Sequence, residues 1–218
     1  MLPDLLTRGW RTLSHEWRRR QLADPSLRFL FEPPPENEWV SLDCETTGLD
    51  RRRDEIISIG AVRIVGDRIL TSEALSLLVR PSRAISADSV KVHRLRERDV
   101  AQGLEPQEAL RRLLHFVGAR PLVGYYLEFD LAMLDRVALP MLGVRLPQRR
   151  IEVSGLYYDH KFRQLHGHEQ DRNIDLRFAT LMADLDLPRR EAHDALNDAV
   201  MAALAFVKLR HLVGLSPA

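Results

Sequence analysis

A chain of 218 residues with 45% hydrophobic and 29% charged residues has the length for one domain plus an appendage and the composition of a soluble globular protein. Its 32 basic and 31 acidic side chains leave a formal charge of +1, which excludes a global basic field toward nucleic acid. The single cysteine, Cys44, excludes an internal disulfide, and the longest apolar run, 199–207, is too short to span a bilayer.

No signal-peptide pattern is evident at the N-terminus, so a reducing cytoplasmic location without membrane contact is expected. Arginine clusters locally at 18–20, 51–53, 149–150 and 189–190. Each cluster reads first as a solvated face, and Arg51 draws the most weight because it adjoins the acidic motif described below.

Residues 1–37 form a separate segment. Leu5, Leu6, Trp10, Leu13 and Trp17 recur at helical spacing, a second apolar cluster covers 27–31, and Pro33-Pro34-Pro35 closes it as a stiff linker. The expected division is therefore an N-terminal helical extension, 1–37, and a domain, 38–218. Residues 1–31 are expected to pack on the body or to contact a second copy or a polymerase.

From Trp39 the pattern changes. A first strand leads into Asp43-Cys44-Glu45-Thr46-Thr47-Gly48-Leu49. Side chains alternate along a strand, so Asp43 and Glu45 share one face and Cys44 takes the other, as a small buried apolar group. Gly48 is expected to turn the chain with a positive φ. Residues 55–65 and 69–79 predict two further strands in a meander, followed by a helical turn over 86–93. Pro106 opens a helix to about Val117, a short strand covers 121–125, an amphipathic helix 128–137 and a fifth strand 151–153. Residues 154–174 read as helix plus loop, and 175–185 and 194–212 as helices. His166-Gly167-His168 lacks a cysteine or acidic partner at zinc spacing and reads as a surface loop.

Two more blocks carry chemistry. Glu128-Phe129-Asp130 lies where a strand gives way to a helix, so a carboxylate there can project back over the sheet. In His193-Asp194-Ala195-Leu196-Asn197-Asp198, positions five apart on one helix would lie about 140° round the axis. If His193 instead precedes the helix and Asp194 caps it, His193 and Asp198 reach one site.

Together the three blocks resemble the DnaQ-like, or DEDD, 3′–5′ exonucleases over roughly 39–212, including domains of the DNA polymerase III epsilon type. The histidine of the last block matches the DEDDh branch. The resemblance implies a ribonuclease-H-like α/β fold, a mixed five-stranded sheet flanked by helices. It implies that Asp43, Glu45, Asp130 and Asp198 hold two divalent cations, Mg²⁺ or Mn²⁺, for a two-metal hydrolysis, with His193 as general base. Leu49 would wedge against the terminal base, and the backbone at Thr46 and Thr47 would hold the 3′ hydroxyl. The implied substrate is the 3′ end of a single strand, DNA favoured, released as nucleoside 5′-monophosphates. An RNA or short-oligoribonucleotide enzyme, or a binding module without turnover, are the alternatives. The chain departs from the family at Tyr125-Tyr126, where many members carry His-Asn, and at His93-Arg94-Leu95-Arg96, where members often read His-Gly-Ile-Thr. The two tyrosines either stack on a base or fill the core.

Overall fold

The computed structural model describes residues 16–164, 174–190 and 193–214. Most of the N-terminal helical pattern and the His166–His168 loop lie outside these.

The centre of the fold is an antiparallel pair, β1 (Glu38–Thr46) and β2 (Ile56–Val65), with Asp43 opposite Gly60 and Glu45 opposite Ser58. Both strands are covered on two faces, which is why β2 reads as an unbroken apolar run rather than an alternating one. The third strand expected at 69–79 is broken. A 3-10 turn at the polar Thr71-Ser72-Glu73 divides it into β3 (Arg68–Ile69) and β4 (Leu75–Leu78), both paired along the outer edge of β2. On the other side β1 pairs in parallel with β5 (Leu122–Gly124), and β5 with β6 (Arg150–Glu152). Six strands thus fill the five expected positions of a mixed sheet.

Helices cover both faces. On one lie α3 (Pro106–Val117) and α4 (Leu127–Leu142), beyond the short α1 (Ala87–His93) and α2 (Glu97–Val100). In α3, Pro106 stands at the first position, and Ala109, Leu110, Leu113, Leu114 and Val117 make the buried stripe. The helix expected to end at Val137 runs five residues further, because Pro140 falls in its last turn and Gly143, at φ 73°, closes it. On the opposite face lie α5 (Val153–Gln164), α6 (Phe178–Asp184) and α7 (Ala195–Val213). Alanines 195, 199, 202, 203 and 205 are buried on α7 and let it approach the sheet closely.

The chain before β1 also enters the core. Residues 16–21 are helical, and a 3-10 helix (Pro25–Phe31), capped by Asp24, buries Leu27, Leu30 and Phe31 against the α3–α4 layer. The Ala23 amide donates to the Leu142 carbonyl at 2.9 Å, and Asp24 pairs with Arg111 at 3.1 Å.

Candidate active site

The end of β1 carries the first two acids. Alternation places Asp43 and Glu45 on the α7 side, part-buried, while Cys44 points into the α3–α4 core. Asp43, Glu45 and Asp198 each offer a carboxylate oxygen within 4.8 Å of the others. Burial, then the charges of its acidic neighbours, raises the Asp43 carboxyl well above its ordinary range. The same causes push Glu45 to about 7 and shift Asp198 upward.

Asp198 reaches this point because of how α7 begins. A Cβ on Gly60 would lie 2.2 Å from the Ala195 carbonyl carbon, so only glycine lets the helix start rest on β2 opposite Asp43. His193 stands before the helix at φ 66°, and Asp194 is the N-cap, accepting from the Asn197 amide at 2.9 Å. The His193 amide donates to Asp198 at 2.8 Å, which ties the histidine's backbone to the acid while its side chain lies exposed at the cavity rim. Asp194 adds its own charge to the cluster and helps raise Asp43, Glu45 and Asp198.

Asp130 arrives from the first turn of α4. It is 3% exposed, and its Oδ1 accepts from the Cys44 amide at 3.0 Å, fixing it to the strand between the two acids. Burial raises it to about 8 despite that hydrogen bond. It lines the same cavity but does not belong to the 4.8 Å cluster. The start of α4 is held by Glu152. Its Oε1 accepts from the Tyr126 amide (2.9 Å) and from the Ser154 amide and hydroxyl (3.1 and 2.8 Å), and its Oε2 from the Leu127 amide (2.9 Å). This carboxylate carries the strained, left-handed backbone of Tyr126 (φ 53°) and satisfies helix-end amides. Sequence reasoning missed Glu152, since a lone glutamate after a three-residue strand has no partner at a telling spacing.

The two tyrosines diverge. Tyr126 is 57% exposed, whereas Tyr125 donates its hydroxyl to the Leu176 carbonyl at 2.8 Å and stacks on Phe178 with ring centroids 4.5 Å apart. Both line the cavity.

The loop after β1 departs from expectation at Gly48, which does not take the left-handed conformation. It is glycine because a Cβ would lie 2.5 Å from Asp54 Oδ2. Thr46 lines the cavity and donates its hydroxyl to the Gly48 carbonyl at 2.6 Å. Thr47 lies off the cavity wall. Its amide is bonded to the Glu55 carbonyl, its hydroxyl to Asp54, and its carbonyl to the Ser89 hydroxyl. Leu49 is 85% exposed at the rim, a strongly apolar side chain offered to solvent. At the end of α1, His93 is buried. Its Nδ1 accepts from the Leu95 amide at 3.0 Å, and burial lowers its pKa, so the ring is neutral at pH 7. Arg94 occupies the left-handed position (φ 61°) that a glycine would fill without strain.

These walls enclose a cavity of about 870 Å³. Its floor is carboxylate, its rim carries Leu49, Val92, Tyr126 and Phe129, and Arg51, Arg189, Arg190 and His193 supply the basic groups. Close, mutually repelling oxygen donors without a cysteine or imidazole among them suit a hard divalent cation.

Residues 40–206 match the family model RNase_T, described as Exonuclease. A DNA polymerase III subunit epsilon-like protein of Rhodobacter capsulatus is 34% identical over 172 residues, covering 78% of this chain and 23% of that protein. A PolC-type DNA polymerase III of Thermotoga maritima is 29% identical over 181 residues, covering 82% of this chain and 12% of that protein. The chain thus spans less than a quarter of either relative. Among solved structures, Exonuclease X in complex with 5′ overhanging duplex DNA superposes with TM-score 0.62 at 23% identity, over 82% of this chain and 94% of that one. An Escherichia coli ExoI–ssDNA complex gives 0.64 at 16% identity, over 81% and 40%. Both likenesses speak to the fold.

Proposed function

The chain belongs to the RNase_T exonuclease family, and from that premise we propose that it removes nucleotides one at a time from the 3′ end of a single-stranded nucleic acid, DNA in preference to RNA. The observation that carries this reading is the meeting of Asp43, Glu45 and Asp198 within 4.8 Å, from distant parts of the chain, on the floor of an open cavity. The relatives named as polymerase III proteins and the neighbour holding ssDNA support nucleic acid as the ligand and a polymerase as a possible partner.

Asp43, Glu45 and Asp198, with Asp130 beside them, would hold divalent cations, Mg²⁺ or Mn²⁺. Once bound, these supply Lewis-acid charge to the attacking and leaving oxygens of an in-line displacement. The protein's own groups do the rest. The Cys44 amide orients Asp130, and the Asp198 carboxylate fixes the His193 backbone. The imidazole of His193, at the cavity rim, takes the proton from the attacking water. Leu49 and Tyr126 present exposed apolar and aromatic surface on which the terminal bases stack. Thr46, on the cavity wall, faces the 3′ end. Thr47 acts through the loop that it ties together, and Tyr125 through the ring of Tyr126, 4.4 Å away.

The test is product analysis on 5′-labelled DNA and RNA oligonucleotides of matched sequence, with Mg²⁺, Mn²⁺ or EDTA. A ladder shortening in single steps from the 3′ end, dependent on metal and absent in Asp43→Asn, is the expected outcome. Internal cuts, 5′ shortening, or intact ends under every metal would overturn the reading.

A further inference from the structure

The arginine run 51–53 adjoins the acidic floor, yet its three side chains are not equivalent. All three are exposed, but only Arg51 lines the cavity. Its guanidinium lies over the ring of Phe129, 5.6 Å from the centroid, and Phe129 directly precedes Asp130 on α4. The backbone that aims it is pinned on several sides. Asp50 and Asp54 close the turn through the Asp50, Arg52, Arg53 and Asp54 amides at 2.8–3.0 Å. Arg136 donates to the carbonyls of Arg51 and Asp54 at 3.1 and 2.5 Å. Among the described residues no carboxylate pairs with Arg51.

A guanidinium resting on an aromatic face keeps its N–H fork free at the edge. That fork matches the paired oxygens of a phosphate better than a single point charge does. The ligand that suits an acidic floor needing cations and a cationic rim at once carries anionic groups spaced along its length. We propose that Arg51 is a phosphate contact for the bound strand, gripping a backbone phosphodiester at the cavity rim while the carboxylate floor holds the reacting end. This rests on the exonuclease reading only in taking nucleic acid as the ligand. The contact supplies affinity without sequence preference.

The test separates binding from turnover. Anisotropy of a fluorescent single-stranded oligonucleotide, in calcium and across a KCl series, is measured for the wild type, Arg51→Ala, Arg51→Lys and Arg52→Ala. Arg51→Ala is expected to bind about tenfold more weakly at low salt, the scale of one lost charge-assisted hydrogen bond. Its plot of log affinity against log salt should flatten by about 0.7, the share of one phosphate contact on a single strand. Arg51→Lys should recover the slope and part of the affinity, and Arg52→Ala should match the wild type. An unchanged slope in Arg51→Ala, or an equal loss in Arg52→Ala, overturns the inference. Cleavage by the wild type is followed on the same oligonucleotide. Binding without cleavage sinks the exonuclease reading and leaves the contact standing, while no binding by the wild type sinks both.

Discussion

Asp43, Glu45 and Asp130 are carboxyls that the metal-free fold holds against their preference. In an unfolded chain they titrate near 4, yet in the fold Glu45 moves to about 7, Asp130 to about 8, and Asp43 well above its ordinary value, chiefly through burial. Across that interval the folded form binds more protons than the unfolded one. The stability linked to these groups is therefore complete below about pH 4 and is lost as the pH climbs through 7 and 8. Asp24, Asp67 and Asp184, held low by their hydrogen-bonding partners, have the opposite dependence and act below the ordinary carboxylate range. The melting temperature of metal-free protein is expected to fall from pH 5.5 to pH 8, and added Mn²⁺ should restore more of it at pH 8 than at pH 5.5. Asp43→Asn should flatten the pH dependence and raise the metal-free melting temperature, by roughly 2–4 °C for each kcal/mol of relieved repulsion, while cutting activity on the order of 10²-fold or more. A thermal melt in EDTA across the pH series checks both, and a flat profile for the wild type would count against the cluster as described. At this scale Asp43 and Glu45 were legible from the period of a strand. Asp198 was legible only through the cap at Asp194, since a continuous helix would have turned it away from His193. The charge that Asp194 lends to the cluster was not, because a capping role already accounts for that residue.

Helix α7 and strand β2 show how one small residue sets the position of the helix that carries Asp198. Gly60 lies within the strand predicted over 55–65, and nothing local distinguishes it from Ala61 beside it. Its necessity comes from the Ala195 backbone lying where a side chain would be, a contact across 135 residues of chain that no window of sequence displays. Gly60→Ala is expected to push the start of α7 off the sheet, separate Asp198 from Asp43, and reduce activity and metal affinity at least about tenfold. The overpacking should also destabilise the fold by about 1–3 kcal/mol. Isothermal titration with Mn²⁺ and urea unfolding measure the two effects, and full activity in a stable Gly60→Ala protein would refute this placement. The same distance effect explains why Glu152 was invisible. Two of its four hydrogen bonds reach back to residues 126 and 127, and only after β5 and β6 have paired. The broken third strand and the longer α4 were missed for a plainer reason. Thr71-Ser72-Glu73 is compatible with an edge strand until a 3-10 turn is seen, and Pro140 is harmless in a final turn.

Over the whole molecule, the alternation of strands and helices and most element positions were legible, whereas the boundary of the core was not. The segment 1–37 looks separable by composition, with a proline run at its end. Even so, Leu27, Leu30 and Phe31 are almost completely buried among α3 and α4, so the inner part of that segment contributes to the same core as the sheet. Leu30→Ala is expected to cost about 2–5 kcal/mol in denaturant unfolding, as for other fully buried leucines. A loss below about 0.5 kcal/mol would show that the segment is an accessory after all. Among the described residues no helix is long and apolar enough to cross a membrane.

Because α7 delivers Asp198, the oxygens of Asp43 and Glu45 find their third neighbour only while that helix rests on the sheet. A local opening that lifts the alanine-lined helix from the sheet therefore disperses these carboxylates, whatever the state of the strands.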